Sequence, residues 1–102
     1  MNSPTNQTRL CGTLLNMTAV RYTPAGVPIR ELRLAHQSAQ VEAGHQRQVT
    51  LEIAALAAGD TVQQLEKLAI GDTCCISGFL NKKSLHNHQL VLHISSIQAF
   101  QE

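Results

Sequence analysis

Apolar and polar side chains alternate along three stretches of the chain, with the two-residue period of a half-buried β-strand. The stretches span residues 29–37, 48–54 and 89–97. Each is therefore predicted to form a strand with one face more apolar than the other. In the first stretch, Leu32 and Leu34 share a face. In the second, the residues predicted to face inward are Val49, Leu51 and Ile53. In the third, the residues that share a face are Leu90, Leu92 and Ile94.

Two further strands are predicted from apolar runs. Residues 9–17 enclose Gly12, and a glycine inside a strand commonly marks a bend or a bulge. Residues 74–80 are almost continuously apolar, which is typical of a buried strand, and Phe79 is predicted to pack in the core. Polar connections are predicted at residues 39–45 and 81–88, and a turn at residues 22–26, where Pro24 fixes φ and Gly26 is free to adopt a positive φ.

The hydrophobic period changes between residues 60 and 69, which predicts a short helix capped by Asp60 or Thr61. Its apolar positions are Val62, Leu65, Leu68 and Ala69. The order is three strands, a helix and two strands. That order predicts an all-β fold, a five-stranded OB barrel with a short helix between strands three and four. A small SH3-like barrel and an open α+β sheet are the alternatives.

Composition restricts the class of protein. The chain has 102 residues, of which 43% are hydrophobic and 15% charged, so residues 1–102 are expected to form one folded domain, with residues 1–7 as a flexible N-terminus. No apolar run approaches the ~18 residues of a membrane span, and the polar N-terminus lacks the apolar segment of a signal peptide. We therefore expect a cytoplasmic protein with no membrane partner.

Candidate residues for metal or covalent chemistry are sparse. Cys11, Cys74 and Cys75 are odd in number and form no C-x-x-C pair, which argues against a disulfide framework and a zinc site. His86 and His88 are spaced as a possible ligand pair, but no third ligand is suggested nearby. No nucleophile–base arrangement or phosphate-binding glycine motif is present. We expect no metal, no cofactor, no small-molecule substrate and no enzymatic activity.

Charge is small in total but unevenly distributed. The net charge is +1, yet residues 1–41 hold four arginines and one glutamate, whereas residues 42–72 hold two basic and five acidic residues. Such a chain can still present one basic face. Arg21, Arg30 and Arg33 cluster in a predicted hairpin beside Tyr22; guanidinium groups bind phosphate, and an aromatic ring can stack on a base. A solvated hairpin with a structural tyrosine would explain the same residues.

Several separated motifs resemble those of bacterial single-stranded-DNA-binding proteins of the OB class. They are Arg9-Leu10-Cys11-Gly12-Thr13-Leu14, Arg21-Tyr22-Thr23-Pro24-Ala25-Gly26 and Leu32-Arg33-Leu34-Ala35. The chain is more similar still to the family of primosomal replication protein N (PriB). That similarity is carried by Glu42-Ala43-Gly44-His45-Gln46-Arg47-Gln48, Ser77-Gly78-Phe79 and Leu90-Val91-Leu92-His93.

The resemblance implies a homodimer of OB folds that binds single-stranded DNA in the bacterial cytoplasm, at nucleoid-associated replication forks. It also implies a role in restarting stalled forks together with the primosomal helicase PriA. The expected DNA-binding residues are Arg21, Tyr22, Arg33, Arg47, Thr50, Lys82 and Lys83. Because the lysine-bearing loop is shorter than in the family, and Thr50 stands where relatives can carry an aromatic, we expect weak and salt-sensitive binding.

Two alternatives to this function are open. A generic single-stranded-DNA-binding protein would usually be tetrameric and carry a long tail with an acidic tip. Residues 97–102 do not resemble such a tail, so we expect this alternative to be disfavoured. An OB-fold protein-interaction module with only weak DNA contact would suit the low net charge and the lack of tryptophan. A steep loss of DNA affinity with salt would distinguish a true DNA site from such a module.

Overall fold

Six strands and one short helix make up the computed structural model, which describes residues 3–99. The elements are β1 (Thr8–Met17), β2 (Arg21–Tyr22), β3 (Pro28–Glu42), β4 (His45–Ala58), α1 (Asp60–Leu65), β5 (Thr73–Lys82) and β6 (Leu90–Ala99). Residues 1, 2 and 100–102 lie outside the described part, so the predicted flexible segment 1–7 is described only from residue 3. Within it, the Asn6 side chain donates to the Leu80 carbonyl oxygen at 2.8 Å and accepts from the Leu80 N–H at 3.0 Å.

Five strands close into a barrel in the order β1-β5-β6-β4-β3, because β3 pairs with β1 again. The pair β4–β6 is parallel and the other pairs are antiparallel, while β2 is a two-residue addition to β3. With α1 between the third and fourth barrel strands, this is the OB fold, and the predicted fold class is confirmed.

The first strand bends to reach both of its neighbours. β1 pairs with β5 from Thr8 to Thr13 and with β3 from Thr13 to Met17, with a bulge between Leu14 and Asn16. A Cβ atom at Gly12 would collide with the Ala35 carbonyl oxygen, so the close approach of β1 to β3 requires glycine there.

The barrel interior is filled by aliphatic side chains from all five barrel strands and from α1. The fully buried ones include Leu14, Leu34, Leu65, Ile76 and Leu92. Each such side chain contributes roughly 1.5–3 kcal/mol relative to an exposed one. Leu32 is also buried, as its alternation with Arg33 predicts, and Val62 and Leu65 place α1 against one end of this core.

The helix is shorter than predicted and is capped differently. It ends at Leu65, and Leu68 and Ala69 follow in tight turns, where the Leu68 N–H donates to the Leu65 carbonyl at 3.0 Å. Gly59, at φ 69°, is the N-cap rather than Asp60 or Thr61, and no side chain caps the helix. The Thr61 hydroxyl accepts from the Ala58 N–H and donates to the Ala58 carbonyl oxygen. In residues 3–99 no helix has the length and apolar character to cross a bilayer.

Residues 39–45, predicted as a polar connection, extend the strands instead. β3 and β4 pair from Ile29–Ala58 to Glu42–His45, and the hairpin turns at Ala43 and Gly44, with φ 53° and 76°. The outer part of this hairpin, residues 37–50, is called the arm below. The arm extends beyond the core. For this reason Leu51, at the base of the arm, is exposed and Val49 is only half-buried, although both were predicted to face inward.

Two cysteines are paired, contrary to the prediction from their number and spacing. Cys11 and Cys75 are direct cross-strand partners in β1 and β5 and form a disulfide. They are 64 residues apart in the sequence, and only closure of the barrel brings them together. The remaining thiol, Cys74, is buried in the core.

The disulfide predicts a redox-dependent stability. Reduction should lower the free energy of unfolding by about 2–4 kcal/mol, because it frees a long loop in the unfolded chain. Urea unfolding with and without reductant measures the difference. The Cys11→Ser/Cys75→Ser variant is the control and should be indifferent to reductant; a wild-type curve equally indifferent would contradict the cross-link.

Candidate nucleic-acid interface

The outer surface of four barrel strands forms one continuous face. Facing residues on neighbouring strands project to the same side of a sheet, so the pairings of β3, β4, β6 and β5 align side chains in rows. One row consists of Glu31, Leu56, His93 and Phe79, and the next of Arg33, Ala54, Val91 and Asn81. This surface is called the outer face below.

A cleft on the outer face gathers three of the predicted site residues. One part of the cleft is lined by Arg21, Glu31, Leu56, Lys83, Ser84, Asn87, Val91 and His93. The adjoining part shares Glu31, Lys83 and Val91 with the first and adds Arg33 and Ala54, among others. The structure therefore brings Arg21, Arg33 and Lys83 together over a floor formed by Leu56, Ala54 and Val91. This is called the outer-face cleft.

The other predicted site residues lie around this cleft. Tyr22 follows Arg21 in β2 and is 69% exposed, but it does not line the cleft. Thr50 faces Gln37 on the arm, on the same side of the sheet as Arg33 and Glu52. Lys82 precedes Lys83 at the end of β5 and pairs with Leu90.

Arg47 is separated from the rest of the set. It pairs with Gln40 and lies an odd number of residues from Thr50, so it projects from the opposite side of the arm. Arg30, the third arginine of the hairpin cluster, is also diverted, since its Nε donates to the Thr18 carbonyl oxygen at 2.7 Å.

The arginines of the predicted site are each paired with a carboxylate. Arg21 contacts Glu31 at 3.2 Å, Arg33 contacts Glu52 at 3.0 Å, and Arg47 contacts Glu42 at 3.9 Å. Within residues 3–99, neither Lys82 nor Lys83 forms a salt bridge. Among the predicted site residues, the arginine charge is therefore largely balanced in the free protein, and the two lysines supply the uncompensated positive charge.

Phe79 lies outside the core, contrary to the prediction. It is 44% exposed on the outer face, and its ring is stacked on that of His93. Both sides of β5 carry large apolar side chains, so a count of apolar residues does not show which of them face inward. The alternation of Ile76, Gly78 and Leu80 against Ser77 and Phe79 is the signal that could have placed Phe79 outside.

The described residues offer little for metal or nucleophilic chemistry. Between residues 3 and 99, no group of three or more His, Cys, Asp and Glu side chains is placed to hold a metal ion. Burial, with a smaller effect from the Asp72 carboxylate, raises the pKa of the Cys74 thiol. The thiol therefore stays protonated, which makes it a poor nucleophile.

Comparison with known proteins agrees with the fold. The family described as "Another single-strand binding protein family" matches residues 6–96. Replication restart protein PriB of Nitrosomonas europaea is 40% identical over 89 residues, covering 87% of this chain and 82% of the relative. The priB structure of Ralstonia solanacearum has a TM-score of 0.86 and 36% identity, covering 96% of this chain and 100% of that one. A Thermus aquaticus single-stranded DNA binding protein has a TM-score of 0.73 and 25% identity, covering 95% and 51%.

The barrel and the match over residues 6–96 define an OB-fold chain of the single-strand binding class. Within that class, the identities of 36–40% to PriB proteins extend over most of each chain. The chain therefore belongs to the PriB family of replication restart proteins, which is related to the single-stranded-DNA-binding proteins.

The pairing of Arg21 with Glu31 predicts how one substitution changes anion binding. Glu31→Gln frees the guanidinium and removes a negative charge from the cleft, so the protein should elute from phosphocellulose at higher salt. Glu66→Gln, at the end of the helix, makes the same change in net charge and is the control. Equal elution shifts would contradict a local effect. The free energy of unfolding should change by less than about 1 kcal/mol, because exposed ion pairs contribute little.

Proposed function

We propose that this chain binds single-stranded DNA along the outer-face cleft and acts in replication restart without catalysing a reaction. The observation that carries the proposal is the convergence of Arg21, Arg33 and Lys83 over an apolar floor, on the exposed face of an OB barrel. Cations of this kind bind phosphates, while the apolar floor accommodates sugars and bases. The PriB relatives support a role in replication restart.

Phosphate binding at the arginines is an exchange of partners. A DNA phosphate replaces Glu31 at Arg21 and Glu52 at Arg33, and each guanidinium can then form two parallel hydrogen bonds to phosphate oxygens. The exchange costs little, because exposed ion pairs of this kind are worth only about 0–1 kcal/mol. The displaced carboxylates stay close to the DNA, so the net gain is small and sensitive to salt.

The remaining predicted residues extend the proposed path of the DNA. Lys82 and Lys83 contact phosphates without sequence preference, and Tyr22 offers a ring at the edge of the barrel. Thr50 continues the path onto the arm. Arg47, on the opposite side, contacts DNA only where the strand passes round the arm.

Lysines 82 and 83 provide the sharpest test of the DNA site. Replacing both by alanine should weaken binding of labelled oligo-dT, as measured by fluorescence anisotropy. The slope of log affinity against log salt should fall by about 1.4, because two phosphate contacts are lost. The melting temperature should hardly change, since both side chains are exposed. Lys67→Ala, a single exposed lysine beyond α1, is the control. Unaltered affinity in the double variant would contradict the assignment.

Homodimer formation and binding to PriA complete the proposed function. The arm supports a self-interaction, because it carries exposed apolar surface. Val41 is 78% exposed on the side of the arm that carries Thr50, and Leu51, at the base of the arm, is 37% exposed on the other side. Sedimentation of the purified chain should give twice the monomer mass, and addition of purified PriA should shift the boundary further. Leu51→Asp should give monomers if the arm is the dimer contact. A wild-type monomer would overturn the dimer, and an unchanged boundary with PriA would overturn the helicase partnership.

A protein-interaction module with weak DNA contact is the second candidate function. The observation that favours it is the neutralisation of Arg21, Arg33 and Arg47 by neighbouring glutamates. The salt titration of oligo-dT binding separates the two, because only a site that neutralises several phosphates loses affinity steeply as salt rises.

A further inference from the structure

A stacked pair of rings lies on the outer face beyond the cations of the cleft. Phe79 in β5 and His93 in β6 are direct cross-strand partners. Their ring centroids are 5.0 Å apart and their planes differ by 4°, which is an offset-stacked arrangement. Phe79 is 44% exposed, so its ring presents apolar surface to solvent.

The position of this pair is fixed by the backbone rather than by a loop. The β5–β6 register shifts between Ser77 and Gly78, next to Phe79. A Cβ atom at Gly78 would collide with the His93 carbonyl oxygen, so glycine is required for the two strands to approach so closely. The Phe79 ring is thus held in place by two paired strands and by the imidazole against it. Binding of a ligand against this ring therefore costs little side-chain entropy, because the ring is already ordered in the free protein.

The pair is continuous with the outer-face cleft. His93 lines the cleft together with Arg21 and Lys83. Its row continues from Leu56 in β4 through His93 to Phe79, and neighbouring strands are about 4.8 Å apart, so Phe79 lies about 10 Å from Leu56. Phe79 is four residues from Lys83, or about 13 Å along the strand. A single strand of DNA whose phosphates lie at Lys83 can therefore place a nearby base at Phe79.

We propose that the Phe79 ring, backed by His93, is a stacking site for one unpaired nucleobase. The inference rests on the proposed binding of single-stranded DNA and adds a contact that needs no charge. Every base has a π-face, so this contact is tolerant of sequence. It also releases no counterions, so its contribution does not change the salt dependence of binding. Phe79 contacts the base, and His93 is a positioning residue.

Loss of the ring should weaken binding without changing its salt dependence. Phe79→Leu should reduce the affinity for oligo-dT about tenfold, with the same slope against log salt as the wild type. Ile70→Ala, which removes exposed apolar surface from the loop after α1, is the matched control and should keep wild-type affinity. If Phe79→Leu binds as tightly as the wild type, the stacking site is wrong and the cleft stands. If the wild type fails to bind oligo-dT, the proposed function itself is overturned.

A single introduced tryptophan reports on the contact directly through its fluorescence. The chain contains no tryptophan, so Phe79→Trp carries one unique reporter, whose fluorescence should be quenched when oligo-dT saturates the protein. Ile70→Trp should not be quenched. Adding His93→Ala to Phe79→Trp should reduce the quenching, and adding His93→Tyr should restore it. Bound DNA that leaves the Phe79→Trp signal unchanged would overturn the proposal.

Discussion

Closure of the barrel by β1 is the constraint on which the remaining structure depends. β1 pairs with β5 along its first half and with β3 along its second half, and Gly12 allows the close approach at the crossing. If the pairing with β3 failed, β3 would be left with an open edge, and if the pairing with β5 failed, β5 would be, in each case with unpaired backbone groups. The pairing of β1 with β5 also brings Cys11 against Cys75.

The proposed DNA site on the outer face has to bind a polyanion with a chain whose net charge is only +1. Its arginines are paired with neighbouring glutamates, so their charge becomes available only when a stronger partner displaces a carboxylate. In the proposed complex, Lys82 and Lys83 attract the DNA electrostatically from a distance, whereas the guanidinium groups form oriented hydrogen bonds to phosphates on contact. In the proposed complex, weak electrostatic binding is supplemented by stacking at Phe79, which is insensitive to salt.

Much of the barrel could be predicted from the sequence, because strand alternation and element order are local signals. Leu32 and Leu34 alternate with exposed neighbours, as their pattern indicates, and the strand order led to the OB fold. The arm could not be predicted in this way. Residues 39–45 are exposed on both faces, so small, polar and apolar residues are mixed there without alternation, and such a stretch of strand has the composition of a loop.

The contacts within the candidate site depend on pairings distant in sequence. The partners of Arg21 and Arg33 follow from strand register, which alternation alone does not give. The disulfide needs barrel closure, and the exposure of Phe79 depends on which side of an apolar strand faces the core. The cations were chosen from residue type and from resemblance, which do not show the side of a strand from which each projects; Arg47 lies on the side of the arm opposite to Thr50.

The most direct test of the central claim maps the DNA contact onto the barrel residue by residue. Backbone amide shifts of isotopically labelled protein are measured by NMR during titration with oligo-dT. The account predicts that the largest shifts fall on the outer face, at Leu56, Lys83, Val91 and His93, while Val62 and Leu65 in α1 stay unchanged. Shifts concentrated on α1, or on the side of the arm that carries Arg47, would contradict it.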